Sequence, residues 1–362
     1  MENQEEQKEP AESTIRSESQ IIEDAINWKP VESSDDYRVE NAYAYGGIAL
    51  LNQATVSKMR SIGKEIVKEI GRRILSGNLN LTTISFPIKC MQANTALHNT
   101  VKGLLMCPLY MNKAASIPDH LERFKLVIAC SISSYLYTST FEKPLNPILG
   151  ETLHGKLEDG GEIWAEQTSH HPPVSHFYIE GPNKSYICHG NYNYTASAGL
   201  NSVTITNYGK KYFQFPDGYV VSQNLPIETF SGTFFGAVRH ESLGVIEFSD
   251  NLSYFKARIE FGADKTLPSD HITGEITDMD RNKICEISGT YCGHIEIDGK
   301  RYWDPRYVTP YKISYDIILP SDSEVREDIR TLRLGQVEEA QAAKEALENL
   351  QRHDRHLRNA NH

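Results

Sequence analysis

Residues 255–261 read Phe-Lys-Ala-Arg-Ile-Glu-Phe, a strict alternation of apolar and charged side chains. Successive side chains of a β-strand point to opposite faces, so this run predicts a strand with one face in an apolar core and one in water. Residues 203–206, Val-Thr-Ile-Thr, repeat the pattern. Similar runs continue from about residue 150 to about residue 315, which predicts a long antiparallel meander.

Turn residues separate these runs. Asp-Gly pairs stand at 159–160, 217–218 and 298–299, and this is the chemistry that tight hairpin loops require. A meander of this length would expose free edges if it stayed flat, so we expect it to curl into a barrel or sandwich. A large barrel leaves room for a ligand, and strand faces such as that of residues 255–261 could line the space.

Helical patterns flank the predicted sheet. Residues 52–75 place apolar side chains at a helical period and carry several basic residues, so they predict a basic amphipathic helix. Such a helix either packs on its own domain or covers a cavity or touches a membrane. Pro118-Asp119 predicts the start of a second helix. Its first turn is polar and the rest is almost wholly apolar, so we expect it to be buried. From Ser321 the pattern returns to helix, with a long charged run that reaches Arg352.

Composition limits the function classes. The net charge of −11 disfavours nucleic acid as a partner, so any anion must be held by a local basic cluster. Residues 1–36 are polar and are expected to form a disordered acidic leader. The six cysteines form no C-x-x-C pair, and the chain shows neither a signal-peptide core nor an apolar run long enough to span a bilayer, which favours a cytoplasmic protein. Nucleotide-binding glycine motifs are absent from the sequence.

Adjacent His170 and His171 invite a metal site, with His176 or Glu166 as a third ligand. On an extended segment, however, neighbouring side chains point to opposite faces and cannot easily coordinate one ion. We therefore expect no metal at this site. Glu166, Ser169 and His170 contain the groups of a hydrolase triad, but they are crowded into one short segment and no G-x-S-x-G elbow is present. We therefore expect no enzymatic activity.

A set of cations suited to an anion remains. It comprises Lys143, the histidine pair, and Lys344 and Arg352 in the last helix. Lys344, Glu348 and Arg352 are spaced four apart and share one helix face, where Glu348 can orient both cations. The same spacing also fits an ordinary solvated ion ladder, and the histidines could equally be structural, so spacing alone leaves both interpretations open.

Three motifs carry a family resemblance. Residues 166–173, Glu-Gln-Thr-Ser-His-His-Pro-Pro, resemble the signature E-Q-x-S-H-H-P-P of the oxysterol-binding proteins. Residues 143–151 are similar to the family's K-P-x-N-P-x-L-G-E, and residues 347–352 to a pattern in its terminal helix. The resemblance covers roughly residues 45–356, and eight motif positions with one of them free are specific.

The resemblance implies a mainly β, α+β fold. It consists of an incomplete antiparallel β-barrel around a hydrophobic lipid tunnel, with an N-terminal lid and flanking helices that include a long C-terminal helix. One lipid-binding domain would then occupy residues 37–362. Its parts would be a lid at about 45–90, a barrel at about 140–315 and a helical part at about 321–358.

The resemblance also implies a function. Family members hold the head group of phosphatidylinositol 4-phosphate at the tunnel mouth, and the motif positions transfer to Lys143, Asn146, His170, His171, Lys344, Glu348 and Arg352. Weaker lid contacts would come from Leu81, Thr82, Thr83, Ile84, Ser85 and Phe86. We expect a cytoplasmic protein that visits membranes and exchanges this lipid for sterol or phosphatidylserine, with no cofactor besides the bound lipid. A lipid sensor that does not transfer, and a lipid hydrolase, are the alternatives.

Overall fold

The protein was analysed as a computed structural model, which describes residues 16–74 and 87–360. The helices in these ranges are α1 Glu18–Asn27, α2 Gln53–Ile74, α3 Ala96–Lys102, α4 Cys107–Ala115, α5 His120–Tyr137, α6 Glu327–Arg333 and α7 Val337–Ala360. None of them is long and apolar enough to cross a bilayer. The predicted helix at 52–75 is confirmed as α2, and the charged run toward Arg352 lies in α7.

One antiparallel sheet dominates the fold. The strands are β1 Ile48–Ala49, β2 Met91–Thr95, β3 Lys143–Leu145, β4 Thr152–Leu157, β5 Glu162–Ser169, β6 Val174–Glu180, β7 Ile187–Ala198, β8 Ser202–Asn207, β9 Lys210–Gln214, β10 Val220–Asn224, β11 Ile227–Ser231, β12 Arg239–Asp250, β13 Lys256–Phe261, β14 His271–Thr277, β15 Lys283–Thr290, β16 His294–Ile297, β17 Lys300–Trp303 and β18 Ile313–Asp316. All but β2 and β3 join one 16-stranded sheet, and β2 and β3 form a separate parallel pair. The predicted meander is confirmed.

The sheet curls into an incomplete barrel. Its main path runs β17-β16-β15-β14-β13-β12-β10-β9-β7-β6-β5-β4-β18, and in the described part of the chain β17 and β18 end the path without pairing with each other. The three Asp-Gly pairs make hairpin turns, and at the last of them both Asp298 and Gly299 have positive φ, as a tight two-residue turn requires.

Two long strands change partners along their length. The first part of β7 pairs with β9 and its second part with β8. β12 pairs with β11 up to Leu243 and with β13 from Gly244 onward. Gly244 has φ +90°, a left-handed conformation that glycine adopts without steric penalty, and this lets the strand bend where its partner changes. The result is a side extension of the barrel made from β7, β8, β11 and β12.

Helix α5 occupies part of the barrel interior. Asp119 caps it by accepting hydrogen bonds from the backbone of Leu121 and Glu122, at 2.8 and 3.1 Å, which confirms the predicted start. The Phe124 ring lies 6.0 Å from that of Phe255, and Tyr135 lies 5.7 Å from Phe261. Two aromatic side chains of the apolar face of residues 255–261 therefore pack against α5.

The N-terminal segment departs from its prediction. We expected residues 1–36 to be disordered, and this is wrong for α1, which packs on α4. Ile21 and Ala25 are buried, and the Lys113 ammonium donates to the carbonyl oxygens of Ile26, at 3.0 Å, and of Trp28. A short apolar stripe within a polar composition was enough to dock this helix. The first residues of the leader lie outside the described part.

Helix α2 bridges two distant segments. The ammonium of Lys58 lies 3.2 Å from the carboxylate of Glu142, just before β3. The guanidinium of Arg60 donates to the carbonyl of Gly236, in the β11–β12 loop. α2 therefore contacts both the side extension of the barrel and the segment before β3.

Candidate functional site

Residues 166–173 span the end of β5 and the turn into β6. Gln167 is buried, and its side-chain amide donates to the carbonyl of Ser169 at 2.6 Å and accepts from the hydroxyl of Ser175 at 2.6 Å. Its backbone exchanges hydrogen bonds with Gly150 and Glu151, at 2.8 and 2.9 Å. Gln167 thus fixes the turn at both ends and joins it to the second motif.

The histidine pair lies in this turn. The ring centroids of His170 and His171 are 4.5 Å apart, with His170 half-buried and His171 exposed. The carbonyl of Pro147 accepts a hydrogen bond from His170, which connects the two motifs again. Burial lowers the pKa of His170, and the neighbouring His171 acts in the same direction. His170 is therefore a neutral hydrogen-bonding group near pH 7.

The segment that follows β3 contains a buried ionic clamp. Lys143 donates to the side-chain oxygen of Asn146 at 2.8 Å. Glu151 is buried, accepts from the backbone of Ile148 at 2.9 Å and forms an ion pair with Arg326 at 2.7 Å. Arg326 also donates to the carbonyl of Asn146 at 3.0 Å. Glu151 and Arg326 therefore hold in shape the segment that carries Lys143 and Asn146.

One face of α7 supplies the third part of the site. The ammonium of Lys344 lies 2.7 Å from the carboxylate of Glu348, and the Arg352 guanidinium lies 3.8 Å from its other oxygen. Lys344 is 4% exposed whereas the Arg352 side chain is 53% exposed, so the Lys344 end of this ladder is withdrawn from solvent and the Arg352 end is not. A small separate core packs α6 and α7 against β2 and β3. Its members are Ile88, Met91, Leu145, Ile329 and Ala340.

The three parts converge in space. The pKa of Lys143 is lowered to about 8, chiefly by burial and also by the charge of Lys344, while Glu348 acts in the opposite direction. The charge of Glu348 also acts on His170. The structure thus brings together the seven residues that the motifs singled out. These are Lys143, Asn146, His170, His171, Lys344, Glu348 and Arg352.

Arg355 was missed by the sequence analysis. Its positive charge reaches His170 and lowers the pKa of that ring. It follows Arg352 by three residues, so helical spacing places both on the same face of α7 and could have identified it. The predicted lid contacts Leu81, Thr82, Thr83, Ile84, Ser85 and Phe86 lie outside the described residues.

Known proteins share this architecture. The family described as oxysterol-binding protein matches residues 75–362. Oxysterol-binding protein 9 of Dictyostelium discoideum is 29% identical over 344 residues, which are 87% of this chain and 80% of the relative. Several human and mouse relatives are longer proteins, of which the chain spans 32–36%.

Two solved structures show the same fold. The Osh1 ORD domain in complex with cholesterol superimposes with a TM-score of 0.69 at 18% identity, over 95% of this chain and 88% of that one. The Osh3 ORD in complex with PI(4)P, from Saccharomyces cerevisiae, gives 0.67 at 22% identity, over 89% and 88%. The described strands thus form the fold of these two domains. The chain belongs to the oxysterol-binding protein family.

Proposed function

We propose that the protein binds phosphatidylinositol 4-phosphate, with the head group on the cationic site and the acyl chains in the barrel interior. The observation that supports this most strongly is the convergence of Lys143, the His170–His171 turn and the face of α7 that carries Lys344 and Arg352. Three segments distant in sequence supply cations and hydrogen-bond donors to one place. Such a set suits a phosphorylated head group, because hydrogen bonds between charged partners are about twice as strong as neutral ones.

The energetics assign different roles to the two ends of the lipid. Exposing an acyl chain to water costs about 0.8 kcal/mol per CH₂, so a chain of about 18 carbons costs on the order of 14 kcal/mol. Charged hydrogen bonds contribute about 1.5 to 3 kcal/mol each, enough to discriminate among phosphoinositides. Burial of the acyl chains in the barrel interior therefore supplies most of the affinity, and the cationic site supplies the selectivity for one head group.

Exchange is the mechanism that this division supports. One barrel would take either the phosphoinositide or a second lipid, sterol or phosphatidylserine, and deliver each of them between membranes. α2 is placed to act as a lid, since it contacts both the β11–β12 loop and the segment before β3. The protein would work in the cytoplasm, with transient contact to membrane surfaces.

Replacing both histidines tests the proposal. We expect His170→Ala/His171→Ala to lower the rate of phosphatidylinositol 4-phosphate transfer between liposomes at least tenfold, because the turn loses both ring donors. His176→Ala is the matched control, since His176 is an exposed histidine on the adjoining strand that bonds to Thr168 at 2.8 Å. The proposal would be wrong if the double variant transferred the lipid at the wild-type rate, or if His176→Ala lost as much activity as the double variant.

The lowered pKa of Lys143 predicts a pH dependence. A lysine with a pKa of about 8 is mostly charged at pH 7 and mostly neutral at pH 9, so an anion that needs its charge binds less tightly as pH rises. We expect the dissociation constant for soluble short-chain phosphatidylinositol 4-phosphate to rise about tenfold from pH 7 to 9. Lys143→Arg should flatten the profile, because a guanidinium stays charged throughout. A wild-type profile that is flat over this range would contradict the role of Lys143.

A lipid hydrolase is a weaker candidate. One hydrogen-bonded series of a serine, a histidine and a glutamate favours it. The Ser139 hydroxyl lies 2.7 Å from one ring nitrogen of His240, and Glu228 lies 2.6 Å from the other. The His240 ring is buried, however, and Phe230 stacks on it at 4.4 Å, which restricts access by a substrate. Mass spectrometry of labelled lipid after incubation should find it intact, whereas free fatty acid or lysolipid would favour the hydrolase.

A further inference from the structure

A lysine lies inside the barrel. The strand register defines a row of inward-facing positions around the sheet, here called the interior row, and every one of them is buried. Its members are Leu153, Ala165, Phe177, Gly190, Lys211, Gln223, Phe248, Ala257, Ile276 and Cys285. Lys211 and Gln223 are cross-strand neighbours and the only polar side chains in the row apart from its final thiol. Lys211 is 3% exposed, while Lys210 before it faces outward and is exposed.

Among the described residues, the Lys211 ammonium has polar neighbours but no carboxylate partner. It lies 5.8 Å from the centre of the Tyr192 ring, and its charge acts on the Tyr192 hydroxyl. Within the described ranges no carboxylate lies close enough to form an ion pair with it, and the groups that act on it most strongly are phenols and thiols. Glu228, on the inner face of the side extension, is bound by His240 at 2.6 Å and Ser242 at 2.8 Å. Burying an ammonium without an opposite charge is unfavourable.

A second group in the same place lacks a partner. Tyr135, on α5, is 4% exposed, and the charge of Lys211 acts on its hydroxyl. The hydroxyl lies near Gln223 but meets hydrogen-bond geometry with no atom of the described residues. The amide of Gln223 is itself engaged, by Ser131 and by the carbonyl of Asn224 at 3.3 Å. Lys211 and Tyr135 therefore present two donors to one place in the interior.

Strands β6 and β7 lead from this position toward the candidate site. Tyr192 and Tyr194 continue the inner face of β7 beyond Gly190 and keep part of their surface accessible. Phe177, the interior-row residue of β6, lies three residues from Val174, where the strand leaves the signature turn. Strands rise about 3.3 Å per residue, so the row lies roughly 10 Å below that turn.

We propose that Lys211 and Tyr135 bind the carboxylate of a second lipid, which enters the barrel with its acidic group first. This rests on the proposed function, and it names the chemistry of the exchanged lipid as a carboxylate-bearing amphiphile. A carboxylate brings one negative charge to one ammonium and offers two oxygens to two donors, whereas a sterol hydroxyl brings no charge and a phosphate dianion exceeds the single cation. The phosphoinositide binds with its head at the mouth, so the two ligands lie in opposite orientations and exclude each other.

The test compares four lipids and four proteins. Oleate, phosphatidylserine and cholesterol are titrated into wild type, Lys211→Met and Lys210→Met, and phosphatidylinositol 4-phosphate binding is measured in parallel. We expect Lys211→Met to lower the affinity for oleate at least tenfold, to leave phosphatidylinositol 4-phosphate binding within twofold and to unfold at no lower temperature. Lys210→Met should match wild type, and Tyr135→Phe should weaken oleate binding several-fold.

The outcomes separate this inference from the proposed function. A loss confined to oleate identifies a fatty-acid-like ligand, and a loss for phosphatidylserine identifies that lipid as the source of the carboxylate. Equal binding of oleate and phosphatidylserine by wild type and Lys211→Met overturns the inference, as does a Lys211-dependent preference for cholesterol. Failure of wild type to bind phosphatidylinositol 4-phosphate overturns the proposed function, whatever oleate does.

Discussion

Arg326→Met is expected to lower the free energy of unfolding by about 3–5 kcal/mol, the effect of removing one partner from a buried ionic group. Arg326 lies between Glu151, at 2.7 Å, and Asp328, at 2.5 Å, and the side chains of both carboxylates are fully buried. Without the guanidinium, both carboxylates stay buried and lose the one ion-pair partner that the described residues give them. Chemical denaturation followed by circular dichroism measures the difference.

A control is available on the same helix. Arg330 lies 3.8 Å from Glu327, and both side chains are 64% exposed. Arg330→Met should change stability by less than about 0.5 kcal/mol, because exposed ion pairs contribute little. If the two variants were equally stable, the clamp would not be what holds the segment after β3 in place.

Lys344→Met is expected to weaken binding of phosphatidylinositol 4-phosphate by roughly tenfold to a hundredfold, which corresponds to the loss of one charged hydrogen bond. Lys344 is nearly buried and is oriented by Glu348, so its ammonium needs little reorganisation to meet a phosphate. Arg352 remains to pair with Glu348 in the variant. Isothermal titration with a soluble short-chain lipid measures the change.

Arg358→Met is the matched control for this variant. Arg358 is an exposed cation on the same helix, and at 1.5 Å per residue it lies roughly 21 Å further along the helix axis than Lys344. Its replacement should leave the affinity within twofold, and the thermal unfolding of both variants should stay close to that of wild type. An equal loss in both variants would mean that α7 attracts the lipid only through its overall charge.

Local pattern predicted much of the fold. The alternation at 255–261 identified β13, the Asp-Gly pairs identified hairpins, and Asp119 marked the start of α5. The change of partners along β7 and β12 was not predictable, because register depends on contacts distant in sequence. The position of α5 inside the barrel was not predicted, for a related reason. Periodicity shows that a strand face is apolar but not which element packs against it.

The sequence motifs named the residues of the candidate site. They did not show which of these residues face the site and which hold its segments in place. The motifs named Lys143 and Glu151 together, yet one lies at the site and the other clamps Arg326. The interior position of Lys211 was not predicted. β9 begins with two adjacent lysines, and the sequence pattern does not show which of them faces inward. A charged residue is normally assigned to the solvent face, so its interior position appears only from the strand register.

The position of the bound lipid tests the central proposal most directly. A crystal structure of the protein with phosphatidylinositol 4-phosphate would measure the distances from the 4-phosphate oxygens to His170, His171 and Lys344. We expect hydrogen-bond distances of about 2.7–3.2 Å to these side chains, with the acyl chains inside the barrel. A head group bound elsewhere, or acyl chains lying outside the barrel, would contradict the account.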